Sequence, residues 1–156
     1  LIDDEGIRLA KEHGTFVVPT LYTLDFIIEE GKDYGVPEYS VEKAKSMAVQ
    51  QRERLRKAYH AGVTFAYGTD AAVFPHGRNA KDFEILFEEL DVPPMEAIRM
   101  ATVNAAELIG IADEVGTLEP GKLADLIAVA GNPLENIALL EDVGFVMKEG
   151  EVYKSP

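Results

Sequence analysis

The chain is expected to have an α/β fold built from parallel βα units and to form part of a larger domain. Three observations predict this. Thr15-Phe16-Val17-Val18-Pro19-Thr20 and Val63-Thr64-Phe65-Ala66-Tyr67 are continuously apolar rather than alternating, the pattern of strands buried on both faces of a parallel sheet. Helical patterns lie between and after these runs, as βα units require. Two strands cannot cover their own edges, and a closed barrel of eight such units takes about 250 residues, against 156 here.

Taken in order, residues 4–13 predict a short helix with acids crowding its start, where the helix dipole favours them, and Gly14 at its C-cap. The first apolar run comes next and ends at Pro19. Residues 21–39 predict a short helix and then a loop around Gly31, Gly35 and Pro37. Ser40 is a suitable N-cap for a long helix reaching about His60, with Val41, Ala44, Met47, Ala48, Leu55 and Ala58 as its inner stripe. Gly62 closes it before the second run. Residues 81–90 predict another helix, broken by Asp91-Val92-Pro93-Pro94. In that helix Phe83, Ile85, Leu86, Phe87 and Leu90 form an expected core cluster. A further helix starts near Pro94, a position that tolerates proline, with Ile98, Ala101, Ala105 and Leu108 on its buried face and Gly110 at its end.

After residue 112 the texture changes to turn punctuation at Gly116, Pro120-Gly121 and Gly131-Asn132-Pro133, with a strand expected over 124–129. Phe145-Val146-Met147-Lys148 and Glu151-Val152-Tyr153 flank Glu149-Gly150, a hairpin signal.

Composition narrows the function. A net charge of −13 argues against a nucleic-acid partner, because phosphate binding needs a basic face. No apolar run reaches the roughly 18 residues of a membrane helix, so no membrane partner is expected. With no cysteine, disulfides, thiolate zinc sites and cysteine nucleophiles are excluded. A cytoplasmic location is favoured. The chain begins Leu1-Ile2-Asp3 without an initiator methionine, as a processed product, a truncated piece or an incomplete gene would.

Residues 66–77, AYGTDAAVFPHG, concentrate the candidate chemistry. Asp70 comes directly after an apolar strand, and ligands of parallel α/β folds gather at strand C-terminal ends. Its competing role is to close an Asx-turn or to cap the next element. His76, between Pro75 and Gly77, sits on a loop. His13 and His60 end helices, where their charge suits the dipole. No H-x-H, H-E-x-x-H, G-x-G-x-x-G or Walker lysine occurs, and Asp70 alone cannot hold a metal tightly. The charged residues between Glu42 and Lys57 read as a solvated helix face.

AYGTDA, together with ATVNAAELIGIADEVGTLEPGKLADLIAVAGNPL and VGFVMKEGEVYK, closely resembles the C-terminal part of the metal-dependent amidohydrolases. GTDAAVFPHGRNAKDFE and KEHGTFVVPTLYT look most like the branch of prolidases, Xaa-Arg-type carboxypeptidases and imidazolonepropionase-like enzymes.

The resemblance implies a partial (β/α)8 TIM barrel, its last two βα units over residues 1–112. The strands of a small composite β-sandwich would occupy 113–156. Residues 15–20 would be the seventh barrel strand and 63–70 the eighth. It implies that Asp70 binds a divalent metal, zinc in one or two copies, and accepts a proton from the attacking water. His76 becomes a substrate-contact candidate. Asn104, in the T-x-N-A-A motif, is read as helix packing and capping. The family's H-x-H, its bridging lysine or glutamate and its other histidines have no counterpart here and would lie before Leu1. The expected function is therefore a fragment of an enzyme that hydrolyses a C–N bond with metal-activated water, inactive alone. Its expected partners are a small-molecule or dipeptide-like substrate and further copies of the chain. The alternative is a catalytically inactive module that self-associates through surfaces the missing barrel half would cover.

Overall fold

The computed structural model describes residues 2–156. Helix α1 spans Asp4–His13: the Asp3 side chain accepts the Gly6 N–H, and Gly14 caps the far end at φ 62°. Residues 15–19 and 63–67 run parallel, but they meet in one bridge, Val17 to Phe65, rather than a full ladder. The Val17 N–H donates to the Thr64 carbonyl at 2.9 Å, and the Ala66 N–H donates to the Val17 carbonyl at 3.0 Å. This corrects the expectation of two strands buried on both faces: the second run is buried at Val63, Phe65 and Ala66, whereas Val18 of the first is 40% exposed. The physical reason is local, because Pro19 has no N–H to extend the ladder. Just beyond the bridge, a Cβ on Gly68 would lie 2.6 Å from Val18 Cγ1, so any larger residue there requires the Val18 side chain to move.

Helix α2 covers Tyr22–Glu29, and α3 covers Glu38–His60. The latter starts two residues before the expected Ser40 cap, with extended Pro37 as its N-cap. Its inner stripe is Val41, Ala44, Ala48, Leu55 and Ala58 as expected, but Met47 is 37% exposed. The charged face also departs from expectation at Arg52. Its side chain is 17% exposed and pairs with Asp25 of α2 and, at 2.5 Å, with Glu89. Three helices are thereby tied together.

Helix α4 runs from Lys81 to Leu90 and ends at Asp91 in the left-handed region. Leu86 and Leu90 enter the core, but Phe87 faces outward at 47% exposure. Next come α5 (Pro94–Arg99), a π-helical turn (Met100–Asn104) and α6 (Ala105–Leu108). The buried positions are Ala97, Met100 and Ala106 rather than Ile98, Ala101, Ala105 and Leu108; the π-turn shifts the helical phase after Met100, which places Ala106 inward and Leu108 at 43% exposure. The main core gathers Ile7, Leu21, Leu55, Phe65, Leu86 and Leu90 among others. A smaller aromatic cluster holds Tyr22, Phe26 and Phe74.

The C-terminal part is a three-stranded antiparallel sheet in the order β1-β2-β3. The strands are β1 Leu126–Val129, β2 Val143–Lys148 and β3 Glu151–Lys154, with a 3-10 turn over Ile137–Glu141 that packs on α4. The β2–β3 hairpin turns at Glu149 (φ 52°) and Gly150 (φ 82°), the pair of positive φ values that a two-residue hairpin loop prefers. Among the described residues no helix is long and apolar enough to cross a membrane.

Candidate functional site

The ends of the two extended runs carry the backbone's most unusual conformations. Of the five non-glycine residues with positive φ among the described residues, three lie here: Thr20 (43°), Asp70 (51°) and Ala72 (109°). Such an angle is most costly for β-branched Thr20, and conformations of this kind collect at functional sites.

The loop from Asp70 to Ala80 is anchored from beneath. The Phe74 ring is 2% exposed and meets Tyr22 edge-on at 4.8 Å. Arg78 Nη1 donates to Glu30 Oε1 at 2.5 Å and to Tyr22 Oη at 3.3 Å, with its guanidinium 5.9 Å from the Phe26 centroid. Asn79 Nδ2 donates to Thr69 Oγ1 at 3.0 Å, Asn79 Oδ1 accepts from Gly77 N at 3.2 Å, and the Asn79 carbonyl accepts from Tyr67 Oη at 2.5 Å. Thr23 Oγ1 of α2 donates to the Thr69 carbonyl at 3.3 Å. Residue 69 is therefore held from two sides immediately before Asp70.

Asp70 is exposed, and its carboxylate takes no hydrogen bond from the described residues. The adjoining turn is closed by its backbone carbonyl, which accepts from Val73 N at 3.4 Å. The carboxylate is thus free of the Asx-turn and capping duty that would explain it structurally. His76 is also exposed. It lines a shallow cavity of about 320 Å³ with Tyr34, Ala72, Val73, Phe74 and Pro75. His13 and His60 stay at their helix ends, the latter with Nε2 3.7 Å from Asp91 Oδ2. Among the described residues no three His, Asp or Glu side chains come together as a metal site. The donors present do not make a metal centre by themselves, and the Asp70 carboxylate is a single oxygen donor.

The Asn104 side chain packs the helix against the second extended run rather than capping a helix. Its Nδ2 donates to the Phe65 carbonyl at 2.7 Å, while the Tyr67 N–H donates to the Met100 carbonyl at 3.0 Å. The π-turn thus serves the outer edge of the second extended run.

The sequence reading missed Asp82. Only 2% exposed, its Oδ1 accepts the Leu21 and Tyr22 N–H groups at 2.6 and 2.9 Å, capping the start of α2 from α4. Its Oδ2 is buried with no partner among the described residues. A signal was available: Asp82, Leu86 and Leu90 recur every four residues on the inward stripe of α4. Burial pushes the Asp82 carboxyl up to about 6, against the opposing pull of its two N–H bonds. The folded protein holds this proton more tightly than the unfolded chain. Its contribution to stability is therefore full below pH ~3.8 and lost as the pH rises through about 6. At about 1.4 kcal/mol per pH unit, the swing amounts to up to about 3 kcal/mol. Urea unfolding from pH 4 to 7 is expected to show that slope, and Asp82→Asn to flatten it. An unchanged slope in the variant would reject this account of Asp82.

Comparison with known proteins places this geometry. The model of the amidohydrolase family matches residues 1–154. Among curated relatives, ochratoxinase of Aspergillus niger is 34% identical over 158 aligned positions, covering 99% of this chain and 32% of the relative. Among solved structures, a Xaa-Pro dipeptidase with methionine bound in its active site superposes with a TM-score of 0.91 at 45% identity, over 99% of this chain and 38% of that one. A prolidase complexed with N-methylphosphonate-L-proline gives a TM-score of 0.89 at 36% identity, over 100% of this chain and 39% of its own. The chain spans less than two-fifths of each of these relatives.

Proposed function

The chain belongs to the amidohydrolase family, and on that premise we propose that it is part of a metal-dependent hydrolase of carbon–nitrogen bonds in which Asp70 is both metal ligand and proton acceptor. In this reading residues 1–112 supply the last two βα units of a (β/α)8 barrel, and residues 113–156 supply strands of a small β-sandwich. The extended run over 63–67 then delivers Asp70 to the C-terminal mouth, where barrel enzymes place their chemistry. The observation that carries the proposal is the free, exposed Asp70 carboxylate at the end of a buried run, in a backbone conformation that costs energy to hold.

A bound divalent ion, zinc in our reading, would lower the pKa of a water toward neutrality. Asp70 would take the proton from the attacking water on one carboxylate oxygen and deliver it to the leaving nitrogen. The names of the dipeptidase and prolidase relatives favour a dipeptide-like substrate. His76 would contact that substrate from the loop. Replacing it with alanine is expected to raise KM about tenfold with kcat little changed, the signature of lost uniform binding. A fall in kcat alone would contradict that role. A cytoplasmic enzyme is the matching location.

The test is to assay the whole polypeptide against dipeptides, including those ending in proline, before and after chelation. Hydrolysis that disappears with chelator and returns with zinc is expected. Full turnover in the metal-stripped protein would reject the proposal.

A second reading, a non-catalytic module that self-associates, is favoured by an apolar cleft of about 920 Å³ between the α5–α6 segment and the sheet. Ile98, Ala105, Ile109, Leu118 and Ile127 are among its lining residues. A metal-free oligomer of these 156 residues on size exclusion would support it.

A further inference from the structure

Asp82 and the peptide that leads into Asp70 are both held by hydrogen bonds to consecutive residues at the start of α2. Asp82, in the first turn of α4, holds the Leu21 and Tyr22 N–H groups that open α2. One residue on, Thr23 Oγ1 donates to the Thr69 carbonyl, the peptide unit that leads into Asp70. Tyr22 packs edge-on against Phe74 of the Asp70 loop and receives a hydrogen bond from Arg78. We propose that Asp82 is a positioning residue for Asp70: its buried carboxylate fixes the first turn of α2, and through Thr23 that turn fixes the Thr69–Asp70 peptide. The inference rests on reading Asp70 as ligand and base.

Sequence separation makes the arrangement informative. Asp82 reaches back 61 and 60 residues to cap a helix that has no capping side chain of its own, since its N-cap is Leu21. An ordinary cap of Ser, Asp or Asn at position 21 would accept from the N–H groups one turn further in, at Thr23 or Leu24, so the Leu21 and Tyr22 N–H groups need an acceptor from outside the helix. Taking the cap from α4 ties together the chain segments just beyond both extended runs. A hydrogen-bonded unit of this kind can hold a catalytic carboxylate to the tolerance chemistry requires. The remaining Asp82 oxygen, buried and unpartnered, makes the tie responsive to protonation. The ionisable group acting on Asp82 is Asp25 of α2, itself paired with Arg52 of α3; Tyr67 of the second extended run, whose hydroxyl donates to Asn79 and whose phenol is raised first by burial, lies within the field of Asp82. Asp25 adds to the upward push on Asp82, and Asp82 in turn raises the Tyr67 phenol.

The test compares wild type, Asp82→Ala, Asp82→Asn, Thr23→Val and Asp70→Asn in the whole polypeptide, by kinetics and by backbone NMR. Asp82→Ala and Thr23→Val are expected to lower kcat about tenfold with KM little changed. Asp82→Asn, whose amide oxygen can still accept both N–H groups, should recover most of that loss. In the Asp70→Asn background, where residue 70 has no carboxylate of its own to titrate, the amide resonances of residues 69 and 70, tracked between about pH 4 and 7, should carry a titration step from Asp82. That step should vanish when Asp82→Asn is added and shrink when Thr23→Val is added. If Asp82→Ala does not fold, Thr23→Val carries the test alone. Wild-type kcat in Thr23→Val, where Asp70→Asn is inactive, would overturn the proposal and leave the functional reading standing. Should Asp70→Asn itself retain turnover, the functional reading falls and NMR decides. A titration step at residues 69 and 70 that survives Asp82→Asn overturns the positioning role, and its loss sustains it.

Discussion

Replacing Asp70 with asparagine in the whole polypeptide lowers kcat by roughly 10²–10⁴-fold, the range that general acid–base groups contribute. The substitution keeps the size and one oxygen of the side chain but removes its ability to take a proton. Because the Asp70 carboxylate has no hydrogen-bond partner among the described residues, the exchange leaves no donor unsatisfied. The loss of activity is therefore expected with a fall in stability of no more than about 0.5 kcal/mol, the usual size of a surface effect. Turnover within about twofold of wild type would remove Asp70 from the mechanism. Lost activity with a large loss of stability would point to a structural role instead.

Phe65→Ala is the substitution with the largest expected cost to the fold. The ring is 1% exposed, lies in the main core cluster and meets Tyr59 edge-on with centroids 5.9 Å apart. Phe65 is also the residue at which the two extended runs pair, and its carbonyl receives the Asn104 side chain. Deleting a buried phenyl ring costs about 3–5 kcal/mol, a large part of the roughly 5–15 kcal/mol that holds a domain together. Phe87→Ala is the internal control, since its side chain is 47% exposed and the expected loss is below about 1 kcal/mol. Urea midpoints of the two variants settle the comparison. Equal losses would contradict the assignment of core and surface.

Helix ends are the most legible feature of the sequence. α1 and α4 run over the expected residues because their stops are local: Gly14 takes the left-handed conformation after α1, and Asp91-Val92-Pro93-Pro94 ends α4. The Glu149-Gly150 hairpin is legible for the same reason. Burial is less so. A periodic pattern identifies a face but not its cover, so Met47 and Phe87 are expected inside and lie outward. The face of the last helix is misread because nothing in Met100-Ala101-Thr102-Val103-Asn104 announces a π-turn, and one such turn changes the phase of everything after it. The parallel pairing of the two runs is readable, but its reduction to a single bridge is not.

The site divides along the same line. Asp70 can be singled out from its place after a buried run, and the family resemblance implies the role proposed for it. The contacts that hold it cannot be found that way. Thr23, Asn79 and Asp82 lie as many as 46, 10 and 61 residues from their partners, and each reads locally as an ordinary polar residue. Arg52 is hidden in the same manner, as one charge among many on α3 that turns inward to meet Asp25 and Glu89.

The account stands or falls on the position of the Asp70 carboxylate relative to a divalent ion. A crystal structure of the whole polypeptide grown with zinc measures it directly. The expected result is an Asp70 carboxylate oxygen about 2.0–2.2 Å from the ion, alongside ligands from outside this chain. An ion held entirely by other residues, with the Asp70 carboxylate turned to solvent, would contradict the account.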